Sequence, residues 1–193
     1  MRMSGARERF YPTEFETAVM GLKGDVLEVG CGGQACIPDD IRHTRIVAVD
    51  LSSHRLEVAR RVTSPRNRHF VACDGAALPF RTSSFDGVAI AFALCSVTEV
   101  EGVLNEVARV AKPGSLFVAI EHIRSSLSAF GIIEDIVSPG YAAFCNGCHL
   151  NRSPRDHIQA SGFEIVKERQ TAHMIPWQVT VGRRTSEQRG NRD

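Results

Sequence analysis

The chain carries almost no net charge: 23 basic side chains against 22 acidic ones in 193 residues leave a formal +1. The basic residues are scattered rather than striped, which excludes the electrostatic footprint of a nucleic-acid or anionic-membrane partner. Long apolar runs are missing too. The opening MRMSGARERFYPTEF has charges with no apolar segment behind them, and no later run approaches the ~20 residues of a membrane span. The expected setting is cytoplasmic, with a small-molecule partner, no nucleic acid and no membrane. Monomer and homodimer both remain open.

Paired metal-ligand motifs are scarce as well. Six cysteines are present, and AFCNGCHLNR, residues 143–152, places Cys145, Cys148 and His149 as C-x-x-C-H. Haem attachment to that spelling goes with export, and no export signal is visible. A structural zinc site needs about four ligands, and no second C-x-x-C or H-x-x-x-H stands elsewhere to supply them. Neither haem nor any metal is expected. In a reducing compartment, such thiols are core residues, ligands or nucleophiles rather than disulfides.

What the sequence does contain is alternation. From residue 24 the apolar runs GDVLEVG, RIVAVD, RHFVACD, FDGVAIAF and SLFVAIEH are separated by helix-period stretches, the pattern of a parallel sheet covered by helices. Val100, Val103, Leu104, Val107 and Ala111 give one apolar helix face, expected to stop at Lys112-Pro113-Gly114. Ser153, Pro154 and Asp156 fit a helix start, and Gly162 its end. FEIVKERQ and PWQVTVGRR have no helix between them and predict an antiparallel hairpin. Between Ile123 and Arg152, Leu127, Phe130, Ile133 and Val137 predict a short amphipathic helix, read as part of a lid or substrate insertion. Residues 1–184 form one domain on this reading, and 185–193 a polar tail.

The stretch VLEVGCGGQAC puts Gly30, Gly32 and Gly33 directly after a strand, where bare backbone amides can approach a ligand. That loop alone admits a dinucleotide as well as other nucleosides, with Asp50 at the end of the next strand to meet a ribose hydroxyl. A nicotinamide enzyme, however, usually has a second domain to hold its substrate, whereas S-adenosyl-L-methionine (SAM) brings its own reactive methyl. Glu28 in the first strand is read as facing the ligand's amino group or sulfonium, since an unpartnered acid there would be costly. Asp74, with Gly75 and Ala76 behind it, is placed to meet an adenine. Carboxylates at neighbouring strand ends make a nucleoside site.

Together VLEVGCGGQ, AVDLS, CDGAALPF, SFDGV and EVARVAKPGSLFVAIEH resemble the successive motifs of class I SAM-dependent methyltransferases, in the ubiquinone and menaquinone branch. The resemblance implies a Rossmann-like α/β fold: a seven-stranded, mostly parallel sheet ordered 3-2-1-4-5-7-6, its last strand antiparallel, with helices on both faces. It also implies SAM as cofactor and S-adenosyl-L-homocysteine as product. A narrower set, FALCSV, the terminal Glu121-His122, and Gly147, Cys148, Leu150 and Arg152, is similar to thiol S-methyltransferases. Gln34 departs from the usual third glycine. On these likenesses Cys31, Leu51 and Ala93 join the cofactor residues already named, with Tyr11 as a lid residue. His122 and Arg152 are the expected catalytic pair. Cys95, Cys148, His149, Phe130 and Phe144 are expected to meet the acceptor, with Leu127 and Ile133 helping to wall a dry pocket and Arg152 supplying a fixed cation. The expected reaction is methyl transfer to a small molecule, with sulfur favoured as acceptor and oxygen, nitrogen or carbon open; a catalytically silent SAM-binding protein is the alternative from another class.

Overall fold

The computed structural model describes residues 11–39, 41, 44–63, 67–145, 147–171 and 175–186. Most of the expected tail, from 187 on, lies outside them. The strands are β1 (Gly24–Val29), β2 (Thr44–Asp50), β3 (Arg68–Ala72), β4 (Phe85–Ala91), β5 (Ala111–His122), β6 (Phe163–Gln170) and β7 (Trp177–Arg184). The helices are α1 (Thr13–Val19), α2 (Ser53–Val62), α3 (Val100–Val110), α4 (Ser128–Phe144) and α5 (Pro154–Ala160). One seven-stranded sheet runs β3-β2-β1-β4-β5-β7-β6. Strands β1 to β5 pair in parallel, while β7 is antiparallel to both β5 and β6. The expected order and hairpin are therefore those of the molecule.

The central strands are apolar on both faces because helices cover both. One cluster packs Leu27, Val88, Ile90 and Phe117 with Val103, Leu104 and Val107 of α3. The other packs Val26, Ile46, Ala89 and Val118 with Phe15 and Val19 of α1. Helix α3 buries the stripe read from the sequence but ends at Val110, and β5 begins at once with Ala111. Lys112, Pro113 and Gly114 thus lie inside the strand, not after the helix. The β4–β5 register shifts between Phe85 and Gly87, an irregularity of the kind that accommodates a proline in a ladder.

Helix α4 is the main correction to the sequence reading. It is 17 residues long, and the residues it buries are Gly131, Glu134 and Ser138. Leu127, Phe130, Ile133 and Phe144 all face solvent, Phe144 with 92% of its surface exposed. The helical period is the expected one, but the face turned inward lies one residue further on, about 100° around the helix. The buried face is polar because it closes a specific network: Glu134 accepts from the Ser125 amide, and Ser138 accepts from the Leu150 amide while donating to Asn151. No helix among the described residues is long and apolar enough to cross a membrane.

A buried ion pair ties the first three strands together. Glu28 on β1 and Arg68 on β3 have side chains almost without exposure and are hydrogen-bonded to each other. Arg68 also donates to the Ile37 carbonyl at 2.5 Å. Glu28 further accepts from the Cys36 amide. Burial pushes the Glu28 carboxyl up, against the pull of Arg68 and that amide. Removing one partner of a buried pair strands the other's charge, a cost of about 3–5 kcal/mol. Arg68→Met should therefore destabilise the fold by about that much in urea unfolding, and adding Glu28→Gln should restore most of the loss.

Candidate active site

One end of the site is built on two strand ends and one loop. After β1 the chain turns through Gly30 and Gly32, both with positive φ (67° and 58°). A Cβ on Gly30 would lie 2.4 Å from that of Ala93, so glycine is required for the loop to seat against the segment after β4. Asp50, at the end of β2, accepts from the Gly32 amide at 2.9 Å through Oδ2 and from the Ser52 amide at 2.9 Å through Oδ1. Both oxygens are thereby fixed, each with a lone pair still to offer. Asp74 accepts from the Ala76 amide at 2.9 Å through Oδ1, an aspartate turn that leaves Oδ2 for a donor.

These residues line one cleft of about 750 Å³, within the ~300–1,000 Å³ of small-ligand sites. Gly30, Cys31, Gly32, Asp50 and Leu51 lie along it. So do Asp74, Gly75, Ala76, Ala93 and Tyr11. The Tyr11 ring stacks on Phe92 at 6.3 Å, and burial pushes its phenol up. Glu28 is the exception among the expected cofactor residues. Its carboxylate turns away from the cleft to Arg68 and Cys36, which resolves the cost of an acid in that strand without any ligand.

The other end of the cleft is built on β4 and β5. Glu121 of β5 is 1% exposed and accepts from three successive amides, those of Ala93, Leu94 and Cys95, at 2.9–3.0 Å. Burial pushes its carboxyl well up. The same segment is held from the opposite side by Arg152, whose guanidinium donates to the carbonyls of Leu94 at 2.8 Å and Val97 at 2.5 Å. Arg152 is thus committed to the backbone on one nitrogen. It lines a smaller adjoining cavity of about 370 Å³ rather than the main cleft.

Cys95, His122 and Cys148 converge in the cleft from three separate segments. Cys148 Sγ lies 3.5 Å from Cys95 Sγ and 3.3 Å from His122 Nδ1, and Cys95 Sγ lies 3.9 Å from the same nitrogen. The shared bond with Cys95 holds the Cys148 thiol below its ordinary range. Cys95 is pushed up to about 12 by that bond and then by burial. The C-x-x-C-H spelling is not the unit: the His149 side chain lines neither cavity, and its amide merely donates to the Cys95 carbonyl at 2.8 Å. Cys148 stands instead with Cys95 and His122, which short-range spacing does not bring together because they are 27 residues apart. Phe130 and Phe144 are likewise absent from the cleft, for the reason given for α4.

The fold is Rossmann-like, with the sheet order seen in solved methyltransferase neighbours. Residues 27–119 match the model of the methyltransferase domain family, and that domain together with the relatives that follow supports a SAM-dependent methyltransferase. Human thiol S-methyltransferase TMT1A is 26% identical over 92% of this chain and 75% of its own length. The rat thiol S-methyltransferase TMT1B is 28% identical over 80% of this chain and 68% of its own length. The demethylmenaquinone methyltransferase of Renibacterium salmoninarum is 37% identical, but over 54% of this chain and 44% of that enzyme. Among solved structures, a SAM-dependent methyltransferase from Methanosarcina mazei covers 92% of the chain with a TM-score of 0.71 at 18% identity. The [4+2]-cyclase SpnF covers 89%, also at 0.71 and 16% identity. Likeness at that distance establishes the fold alone.

Glutamate is needed at 121 because two oxygens must face three amides. Glu121→Gln keeps one acceptor and turns an N–H toward a backbone N–H, so it should cost about 1–3 kcal/mol in thermal unfolding, whereas Glu164→Gln on the exposed edge strand should be neutral.

Proposed function

We propose that the chain transfers the methyl group of SAM to the sulfur of a small thiol. SAM supplies, when bound, an electrophilic methyl on a sulfonium. Asp50 and Asp74 would hold the ribose and adenine, and the glycine loop at Gly30 and Gly32 the amino-acid arm. The observation that carries the thiol reading is the chemistry of the β4–β5 end of the cleft: two thiols and an imidazole face it. No lysine lines it among the described residues. A thiol of pKa near 8.5 needs only a modest downward shift to offer thiolate, the reactive form, whereas a phenol or alcohol needs a dedicated base. The thiol S-methyltransferase relatives, matched along most of the chain, favour the same acceptor.

The chain's own contribution on this reading is alignment and dryness. Glu121 and Arg152 fix the segment that carries Ala93 and Cys95, and His122 stands beside it as a hydrogen-bond partner for the acceptor. Phe92 packs on His122 with ring centroids 4.6 Å apart, and Tyr11 stacks on Phe92. All six cysteines are free, in keeping with a reducing compartment.

Calorimetry should show S-adenosyl-L-homocysteine binding and no NAD binding. Asp50→Ala should weaken the former about tenfold to a hundredfold, the equivalent of the ~1.5–3 kcal/mol of a hydrogen bond to a charged group. A screen of thiols, phenols and amines, read as S-adenosyl-L-homocysteine release by mass spectrometry, should find turnover with thiols. Turnover confined to phenols or amines would refute the acceptor assignment.

A further inference from the structure

We propose that Cys95, Cys148 and His122 bind one zinc ion whose open fourth position takes the acceptor thiol. For the occupant of that position the inference rests on the thiol reading above. The three ligand atoms lie within 4.8 Å of one another. Tetrahedral zinc, with bonds of about 2.3 Å to sulfur and 2.0–2.1 Å to nitrogen, sets ligand atoms about 3.8 Å apart for two sulfurs and about 3.6 Å apart for sulfur and nitrogen. The observed edges are 3.5, 3.3 and 3.9 Å. Shifts of a few tenths of an ångström would therefore form one face of the tetrahedron. A disulfide between the same cysteines would need the sulfurs to close by roughly 1.5 Å, to about 2.05 Å. The geometry lies much nearer the metal.

The ligand set also matches the metal's chemistry. Two cysteines and one histidine with an open position is a known arrangement for catalytic rather than structural zinc. The scaffold is stiff where it matters: the Cys95 amide is held by Glu121, and the chain after Cys148 is tied back by the bond from the His149 amide to the Cys95 carbonyl. All three side chains line the cleft that holds Asp50 and Asp74. The sheet order puts those two carboxylates on the β2–β3 side of the glycine loop and the three ligands on the β4–β5 side. Cys95 and His122 also line the adjoining smaller cavity, but all three side chains share only the main cleft, so the fourth position is assigned to the cleft where methyl transfer is proposed.

The step balances without an oxidant or reductant. The acceptor thiol binds the zinc and releases its proton to solvent, because a coordinated thiol is deprotonated. The thiolate sulfur forms a bond to the methyl carbon. The carbon–sulfonium bond breaks, and its electron pair stays on the sulfur of S-adenosyl-L-homocysteine.

The test uses cobalt(II) as the probe on reduced, chelator-treated protein without SAM. Titration should saturate at one cobalt per chain, with thiolate-to-metal charge transfer and the visible bands of a tetrahedral site. Thiophenol should then shift those bands. Cys95→Ser, Cys148→Ser and His122→Ala should each weaken cobalt at least about a hundredfold, more than loss of an outer hydrogen bond to a ligand does. Retained S-adenosyl-L-homocysteine binding would show that these variants are folded. Cys145→Ser, at the same cleft but outside the group, should bind cobalt as the parent does. No tetrahedral spectrum, or one that survives the Cys95 and Cys148 changes, would overturn the site. Cobalt binding indifferent to thiophenol would overturn the open position. No methyl moves in these experiments, so they decide the metal site even if the acceptor screen returns a phenol.

Discussion

Three backbone amides on one buried carboxylate hold this site together. The segment after β4 has left the sheet, so the amides of Ala93, Leu94 and Cys95 have no ladder partner. Buried amides without acceptors would each cost about as much as a lost hydrogen bond. Glu121, at the end of the neighbouring strand, takes all three. The consequences reach both ends of the cleft. Ala93 is pressed on Gly30, which only glycine permits, and so fixes the glycine loop. Cys95 is delivered to His122 and Cys148. Arg152 grips the same segment through its carbonyls, so donors and acceptors of one short stretch are satisfied by two side chains of opposite charge.

The cleft is thereby divided by the order of the sheet. Carboxylate oxygens stand on the β2 and β3 side, and soft sulfur and nitrogen groups on the β4 and β5 side. The location follows the general rule that ligands of open α/β sheets bind beyond the carboxyl ends of the strands. One fold neighbour is a cyclase: the sheet is shared, and the chemistry is decided by the site built on it.

Most of the fold was legible in the sequence because a parallel sheet buried on both faces leaves continuous apolar runs, and GDVLEVG through SLFVAIEH mark five of them. The hairpin was legible from the missing helix between its strands. Asp50, Asp74 and the glycines were legible because each is local to a strand end. What could not be read was long-range pairing. Glu28 has the same sequence context whether its partner is a ligand or Arg68, 40 residues away. Helix α4 shows an apolar period, but period alone does not say that Glu134 and Ser138 find partners inward and leave the apolar side outward. Cys95, His122 and Cys148 were each singled out through the family resemblance, but their convergence on one point was not legible.

The central claim is that one cleft holds the nucleoside at its carboxylate end and the reacting centre at its thiol end. A crystal structure with S-adenosyl-L-homocysteine tests it most directly. The account predicts the ribose on Asp50, the adenine at Asp74, and the thioether sulfur directed toward Cys95, His122 and Cys148. A thioether sulfur directed away from that group, or a nucleoside seated outside the cleft between Asp50 and Asp74, would contradict it.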